Sequence, residues 1–214
     1  MFTYQLNPDQ ETITITGTNK KTRKTLVIPE KINDLIVTAI GDFAFQAKSM
    51  QTKGILSITI PQTVSKIGAF AFDKNILKEL ALPDSITEIG KFAFANNRID
   101  KLHLSNQLTQ INRGVFENNA IEELVIPNKI LTIKKEAFKR NRIKKLTLSE
   151  GLISIEEDAF SDNFLKIVVI PYSTKSIDPL AFGNKKSDVI RLHASHNKNI
   201  EINQRSTAER IKLL

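Results

Sequence analysis

Residues 60–81 read IPQTVSKIGAFAFDKNILKELA, and residues 82–103 read LPDSITEIGKFAFANNRIDKLH. The second stretch is the first one rewritten, 22 residues on. Ile60-Pro61, Leu82-Pro83, Leu104-Ser105, Ile126-Pro127, Leu148-Ser149 and Ile170-Pro171 carry the step along the chain, and so do Phe72, Phe94, Phe116, Phe138, Phe160 and Phe182. A fixed period of this length marks a stack of like supersecondary units, not a globule around one pocket. A stacked chain offers a long surface, and such surfaces hold partners.

Within each unit the residue pattern predicts the local structure. Leu80-x-Leu82 alternates with period two, so it is a short strand with both leucines inward. Pro61, Pro83, Pro127 and Pro171 end that strand, because proline has no N–H for a ladder. Val64–Ile67 predicts a second short strand or an extended corner, followed by Gly68 or Gly90 for a tight bend. The Ala-Phe stretch predicts a helical turn whose Phe plugs the interior, with a small residue beside it (Ala71, Ala93, Ala137, Ala159, Ala181). Asn75, Asn97, Asn119, Asn141 and Asn163 follow the Phe by three, where an asparagine can bridge backbone groups. Apolar columns such as Ile67, Ile89, Ile111, Ile133, Ile155 and Ile177 are buried only when turns stack on one another.

The period also sets the organisation. Residues 1–27 hold two strand-like runs, Phe2–Leu6 and Thr12–Thr16, and read as an N-terminal β cap. Residues 28–182 read as the solenoid, of about seven turns, the first one extended: Ile28 precedes Ile60 by 32 residues. Residues 183–214 read as a last strand at Ile190-Arg191-Leu192 and a basic cap with a short amphipathic helix near Thr207–Leu213.

The unit Ile-Pro-x-x-Val-x-x-Ile-Gly-x-x-Ala-Phe-x-x-Asn-x-Leu-x-x-Leu-x-Leu resembles the BspA-like bacterial leucine-rich repeats. The opening is similar too, from Thr12-Ile13-Thr14-Ile15 through Leu26–Pro29 to Ile40-Gly41 and Phe45. The likeness runs over about residues 12–192. Asp34 and Ile36 depart from the Gly and Pro frequent there, and Val115 replaces the Ala before Phe116. The resemblance implies a leucine-rich-repeat solenoid, a right-handed stack of turns with a parallel β-sheet on one face and short helical turns or loops opposite. It also implies a non-catalytic protein or matrix binder, often at a bacterial cell surface.

Composition narrows the function classes. Hydrophobic residues are 41% and charged residues 25%, an ordinary folded composition. No apolar run approaches the ~18 residues that cross a bilayer. The N-terminus lacks a basic start and an apolar core, so no secretory signal is visible; a complete chain of this kind would be cytoplasmic, whereas the resemblance implies secretion or the cell surface. There is no cysteine, hence no disulfide and no thiolate chemistry. Net charge is +8, and residues 183–214 are the more basic part, with seven basic residues against three acidic.

Catalysis, cofactors and metals find no support. His193-x-x-His196 lacks the i, i+4 spacing of a helical zinc pair and reads as polar cap. There is no glycine-rich phosphate loop and no serine elbow. The basic run Lys134–Lys145 resembles a nucleic-acid segment, but the period places Glu156 beside Lys134, Glu157 beside Lys135, Asp162 beside Arg140, Glu117 beside Lys139, Glu122 beside Lys144 and Glu123 beside Lys145. A polyanion site stacks like charges into a stripe, so the basic C-terminal segment is the better candidate for that alternative. A structural spacer within a larger surface protein is a third reading.

The expected binding surface is the open sheet face. One outward column is Thr59, Ala81, His103, Val125, Thr147 and Val169; the other is Ser57, Glu79, Lys101, Glu123, Lys145 and Ile167, with signs alternating from Glu79 to Lys145. Strands ~4.8 Å apart let those four charges pair. Lys101, His103, Glu123, Val125, Lys145, Thr147, Ile167, Val169 and the nearby Tyr172 are the candidate residues for a protein or glycan partner. Nothing in the sequence sets the oligomeric state, and a monomer is compatible with it.

Overall fold

Each 22-residue unit folds into one turn carrying two short strands, and the turns stack in register. The computed structural model describes residues 1–19, 24–48 and 54–183, with strands at residues 190–194, 201–202 and 211–213. The result is a parallel β solenoid of about seven turns.

The chain opens with an antiparallel hairpin, β1 (Phe2–Leu6) and β2 (Thr12–Thr18). Next come β3 (Thr25–Val27), β4 (Lys31–Ile32) and β5 (Leu35–Ile40). From there a longer and a two-residue strand alternate. The pairs are β6 (Ser57–Thr59) with β7 (Lys66–Ile67), β8 (Glu79–Ala81) with β9 (Glu88–Ile89), and β10 (Lys101–His103) with β11 (Gln110–Ile111). Then follow β12 (Glu123–Val125) with β13 (Thr132–Ile133), β14 (Lys145–Thr147) with β15 (Ser154–Ile155), and β16 (Ile167–Ile170) with β17 (Ser176–Ile177).

Equivalent residues pair one turn apart: Leu102 with Leu80, Leu124 with Leu146, Ile133 with Ile155. The even-numbered strands from β6 onward, with β3, make the sheet face. The two-residue strands make a second side, which the hairpin joins through β2 and β5. Ile13 and Ile15 of β2 are fully buried, and Phe2 meets Phe45 edge-on at 6.2 Å. The hairpin thereby covers the first turn. β4 and β5 are joined by Asn33-Asp34, both with positive φ (51° and 65°), the backbone of a tight primed turn. Asp34 serves there without glycine because a short polar side chain tolerates this region.

The interior is a column of phenylalanines. Phe45, Phe72, Phe94, Phe116, Phe138, Phe160 and Phe182 stack with centroids 5.3–5.8 Å apart. Beside it runs a buried asparagine column. Asn119 accepts the Ile99 N–H at Oδ1 (3.0 Å), and its Nδ2 donates to the Phe94 carbonyl of the preceding turn (3.0 Å) and to the Phe116 carbonyl of its own (3.2 Å). Asn97 and Asn141 repeat this geometry.

Two expectations change in detail. The Ala-Phe stretch is a non-helical turn, and no helix occurs among the described residues. Its backbone bonds run between turns: the Phe72 N–H donates to Ala93 O, and Phe94 N–H to Val115 O. A helical turn would have kept those bonds within itself and left neighbouring turns unbridged. Gly68 and Gly90 are also not bend residues, since neither has positive φ. They allow close approach instead: a Cβ at Gly68 would strike the backbone of Asp42, and one at Gly90 that of Ala69. Positive φ falls two residues later, at Phe70, Phe92, Gly114, Glu136 and Asp158, and again at Lys74, Asn96, Asn118, Arg140 and Asp162.

At the C-terminal end β18 (Ile190–Ala194) pairs with β16, where a last strand is expected. It is not the last: β19 (Glu201–Ile202) and β20 (Ile211–Leu213) follow. Ile211–Leu213 is a strand on β18, not part of a helix; residues 207–210 of the expected helix lie outside the described residues.

Candidate partner-binding face

The sheet face is built by alternation. In each longer strand the middle residue turns inward and its two neighbours turn out. Stacking then aligns Glu79, Lys101, Glu123, Lys145 and Ile167 in one column, and Ala81, His103, Val125, Thr147 and Val169 in the next. All ten are exposed.

The charged column pairs two and two. Lys101 Nζ lies 2.7 Å from Glu79 Oε1, and Lys145 Nζ lies 3.8 Å from Glu123 Oε2. The hydrogen bond from Lys101, then its charge, holds the Glu79 carboxyl below the ordinary value, and Glu79 in turn raises the Lys101 ammonium. Both groups are solvated, so this sets register more than stability. His103 stands beside this pair, and Asp84 at the strand exit is lowered chiefly by the Asn106 backbone N–H it accepts.

The apolar members lie mid-column and at both ends, with Val27 of β3, level with Thr59, at the N-terminal end. Val125, Ile167, Val169 and Tyr172 each expose more than half of their surface. The Tyr172 N–H is held by Glu150 Oε2 at 3.1 Å. Phe164, on the loop entering β16, is as exposed as these and was not among the expected residues. Its column gives little signal, since Ile76, Arg98, Ala120 and Arg142 at the equivalent positions are half apolar and half basic.

The turn side carries the rest of the charge. Lys134 meets Glu156 (3.0 Å), Lys135 meets Glu157 (2.7 Å), Arg140 meets Asp162 (3.9 Å) and Lys144 meets Glu122 (2.9 Å), as the period requires. One partner differs. Lys139 pairs with Asp158 (2.6 Å), and Glu117, expected beside it, pairs with Arg140 (3.6 Å). Six of the seven basic residues of the run thus face a carboxylate, all but the exposed Arg142. A second aromatic ladder, missed in the sequence, also lies here: Phe43, Phe70 and Phe92 stack at 5.2 and 5.1 Å, and the Arg113 guanidinium covers the Phe92 ring at 5.6 Å. The ladder ends at Gly114, where a Cβ would run into that ring. Its sequence signal is the Phe-Ala-Phe spacing at 43–45, 70–72 and 92–94.

The His193 side chain and His196 lie outside the described residues, as does most of the basic segment. Among the described residues no helix is long and apolar enough to cross a membrane.

No curated protein matches the sequence. Among solved structures, the chain is similar to a leucine-rich cell surface protein from Faecalibacterium prausnitzii A2-165. The two are 25% identical with a TM-score of 0.71 over 85% of this chain and 50% of that one. It also shares its fold with a leucine-rich repeat protein from Bacteroides ovatus, at 19% identity and a TM-score of 0.63 over 92% of this chain and 64% of that one. The chain therefore spans about half of the first and under two thirds of the second. The pattern of the BspA type leucine-rich repeat region matches six copies, over residues 38–163 and 109–209. With the 22-residue period, the stacked Phe and Asn columns and this match over most of its length, the chain belongs to the BspA-type leucine-rich repeat family.

Proposed function

We propose that this chain is a non-catalytic binding module that holds a protein or glycan partner on its sheet face. The observation that carries the reading is the group of solvent-facing apolar side chains, Val125, Ile167 and Val169, beside the charge column. Large apolar side chains gathered on one exposed face favour a partner that covers them. The likeness to a leucine-rich cell surface protein supports placement at a bacterial surface. The residues engaged are Lys101, His103, Glu123, Val125, Lys145, Thr147, Ile167, Val169 and Tyr172.

The test is capture from matrix proteins, glycans and cell extract at physiological salt. The intact chain is compared with a Lys101→Ala/Val125→Glu/Val169→Glu variant whose circular dichroism matches wild type. A partner kept by wild type and lost by the variant supports the sheet face. A partner held equally by both moves the site elsewhere.

A further inference from the structure

The pitch of the charge column restricts what can lie along it. Signs alternate at every strand, so a partner that matches them must change sign at each strand, ~4.8 Å apart within the hydrogen-bonded pairs β8-β10 and β12-β14. An extended peptide repeats a face only every ~6.8 Å, two residues at ~3.4 Å each, and a helix places same-face neighbours ~5.4 Å apart. Over the three steps of the column the peptide drifts by ~6 Å and loses register, and the helix drifts by ~1.8 Å. Another stack of parallel strands keeps it over the whole length. The order Glu79-Lys101-Glu123-Lys145 is also its own complement when reversed.

Resting on the sheet-face reading above, we infer that the protein partner is a second copy of this chain, docked face to face about a two-fold axis parallel to the strands. Such an axis keeps each column against its own counterpart and reverses its order. Placed between Lys101 and Glu123, it sets Glu79 against Lys145 of the other copy and Lys101 against its Glu123. All four charges then find opposite charges across the contact. A shift by one strand sets Lys101 on Lys101 and Glu79 on Glu123, so register is enforced by repulsion. A shift by two pairs only half of them. The favoured register lays β3 through β18 of one copy over β18 through β3 of the other. It covers Val125 with His103, Val169 with Thr59 and Ile167 with Ser57, which buries the apolar side chains that the monomer leaves in water. The contact is isologous and closed.

Strands of three residues, at ~3.4 Å each, make a face only about 10 Å wide, narrow beside a standard interface of ~800 Å² per partner, so the dimer is weak and reversible. Because its specificity is ionic, it loosens as salt rises.

The test is sedimentation equilibrium of the full chain, up to about 1 mM, the dissociation constant of an association worth only about 4 kcal/mol. Two variants make the charge column uniform: Glu79→Lys/Glu123→Lys and Lys101→Glu/Lys145→Glu. Each alone is expected to be monomeric where wild type dimerises, and an equimolar mixture of the two is expected to dimerise again. Should either variant fold poorly, Glu79→Cys/Lys145→Cys in this cysteine-free chain gives a second reading. The two positions lie three strands apart within one copy and opposite each other between copies, so mild oxidation is expected to yield a covalent dimer. A wild type that stays monomeric throughout overturns the inference, as does a dimer indifferent to both charge variants. If wild type is monomeric yet the sheet-face variant still loses a captured partner, the second copy falls and the binding face stands.

Discussion

A single asparagine shows how the turns are held. Asn119 is buried and ties three backbone groups together across two turns. In Asn119→Ala the Ile99 N–H loses its acceptor, whereas the Phe94 and Phe116 carbonyls each keep one amide donor, from Asn97 and Asn141. An unsatisfied buried group costs about 1–3 kcal/mol, and urea unfolding is expected to show a loss of that size. Lys74 illustrates the opposite sign. It stands at φ 62°, in a column where Asn96 and Asn118 occupy the same conformation. Asparagine enters this region more readily than lysine, so Lys74→Asn is expected to stabilise the chain by about 0.5–1 kcal/mol in the same assay. Glu117 sets a pH dependence. Burial, then the neighbouring Glu136 carboxylate, raises its pKa above the ordinary 4.5, against the pull of Arg140. The folded state then binds that proton more tightly than the unfolded chain, so stability falls as pH rises from 4.5 through the raised value. Glu117→Gln is expected to melt higher than wild type at pH 7, with the gap closing toward pH 4. A gap independent of pH would assign the effect to packing.

At the scale of the element, the aromatic column is the strongest contact. Phe116 and Phe138 are fully enclosed between their neighbours. Replacing either by alanine is expected to cost about 3–5 kcal/mol, read as a lower urea midpoint. An unchanged midpoint would show that the turns close without it. Such elements were legible because period and side-chain type agree. Leu80-x-Leu82 alternates, Pro83 ends the strand, and Phe94 repeats Phe72. The corners were less legible. A Phe in a left-handed conformation, as at Phe70 and Phe92, violates local preference and is held there by stacking and by backbone bonds to the next turn. No local rule reveals that, so the stretch reads as helical in isolation. Lys139 went to Asp158 for a similar reason. The period says which residues are level, while the reach of a long side chain decides which carboxylate it takes. On the sheet face the columns followed from alternation, but Phe164 lies in a loop, where alternation gives no direction.

At the scale of the molecule, the junctions between turns from Phe45 to Phe160 are made from like parts: a stacked ring, an asparagine bridge and one or two strand pairings. A turn that cannot close alone is held by its interfaces with the turns beside it, and interfaces that outweigh the turns' own stability couple a short stack into one unfolding unit. The chain has no tryptophan and two tyrosines, Tyr4 in the opening hairpin and Tyr172 just beyond β16. Tyr172→Phe leaves a probe of one end, and Tyr4→Phe a probe of the other. The two fluorescence transitions in urea are expected to share one midpoint, and separate midpoints would show that the ends melt independently. The asparagine bridge also has a direction. Each asparagine reaches backward, so a turn's open N–H is satisfied, and its Phe carbonyl gains a second donor, from the turn that follows it in sequence. During synthesis the chain leaves the ribosome from its N-terminus. The newest turn therefore waits, with a buried-type N–H unfulfilled, until another 20 or so residues have emerged. The growing solenoid closes like a zip one tooth behind its slider, and a stalled nascent chain always ends in one unfinished turn.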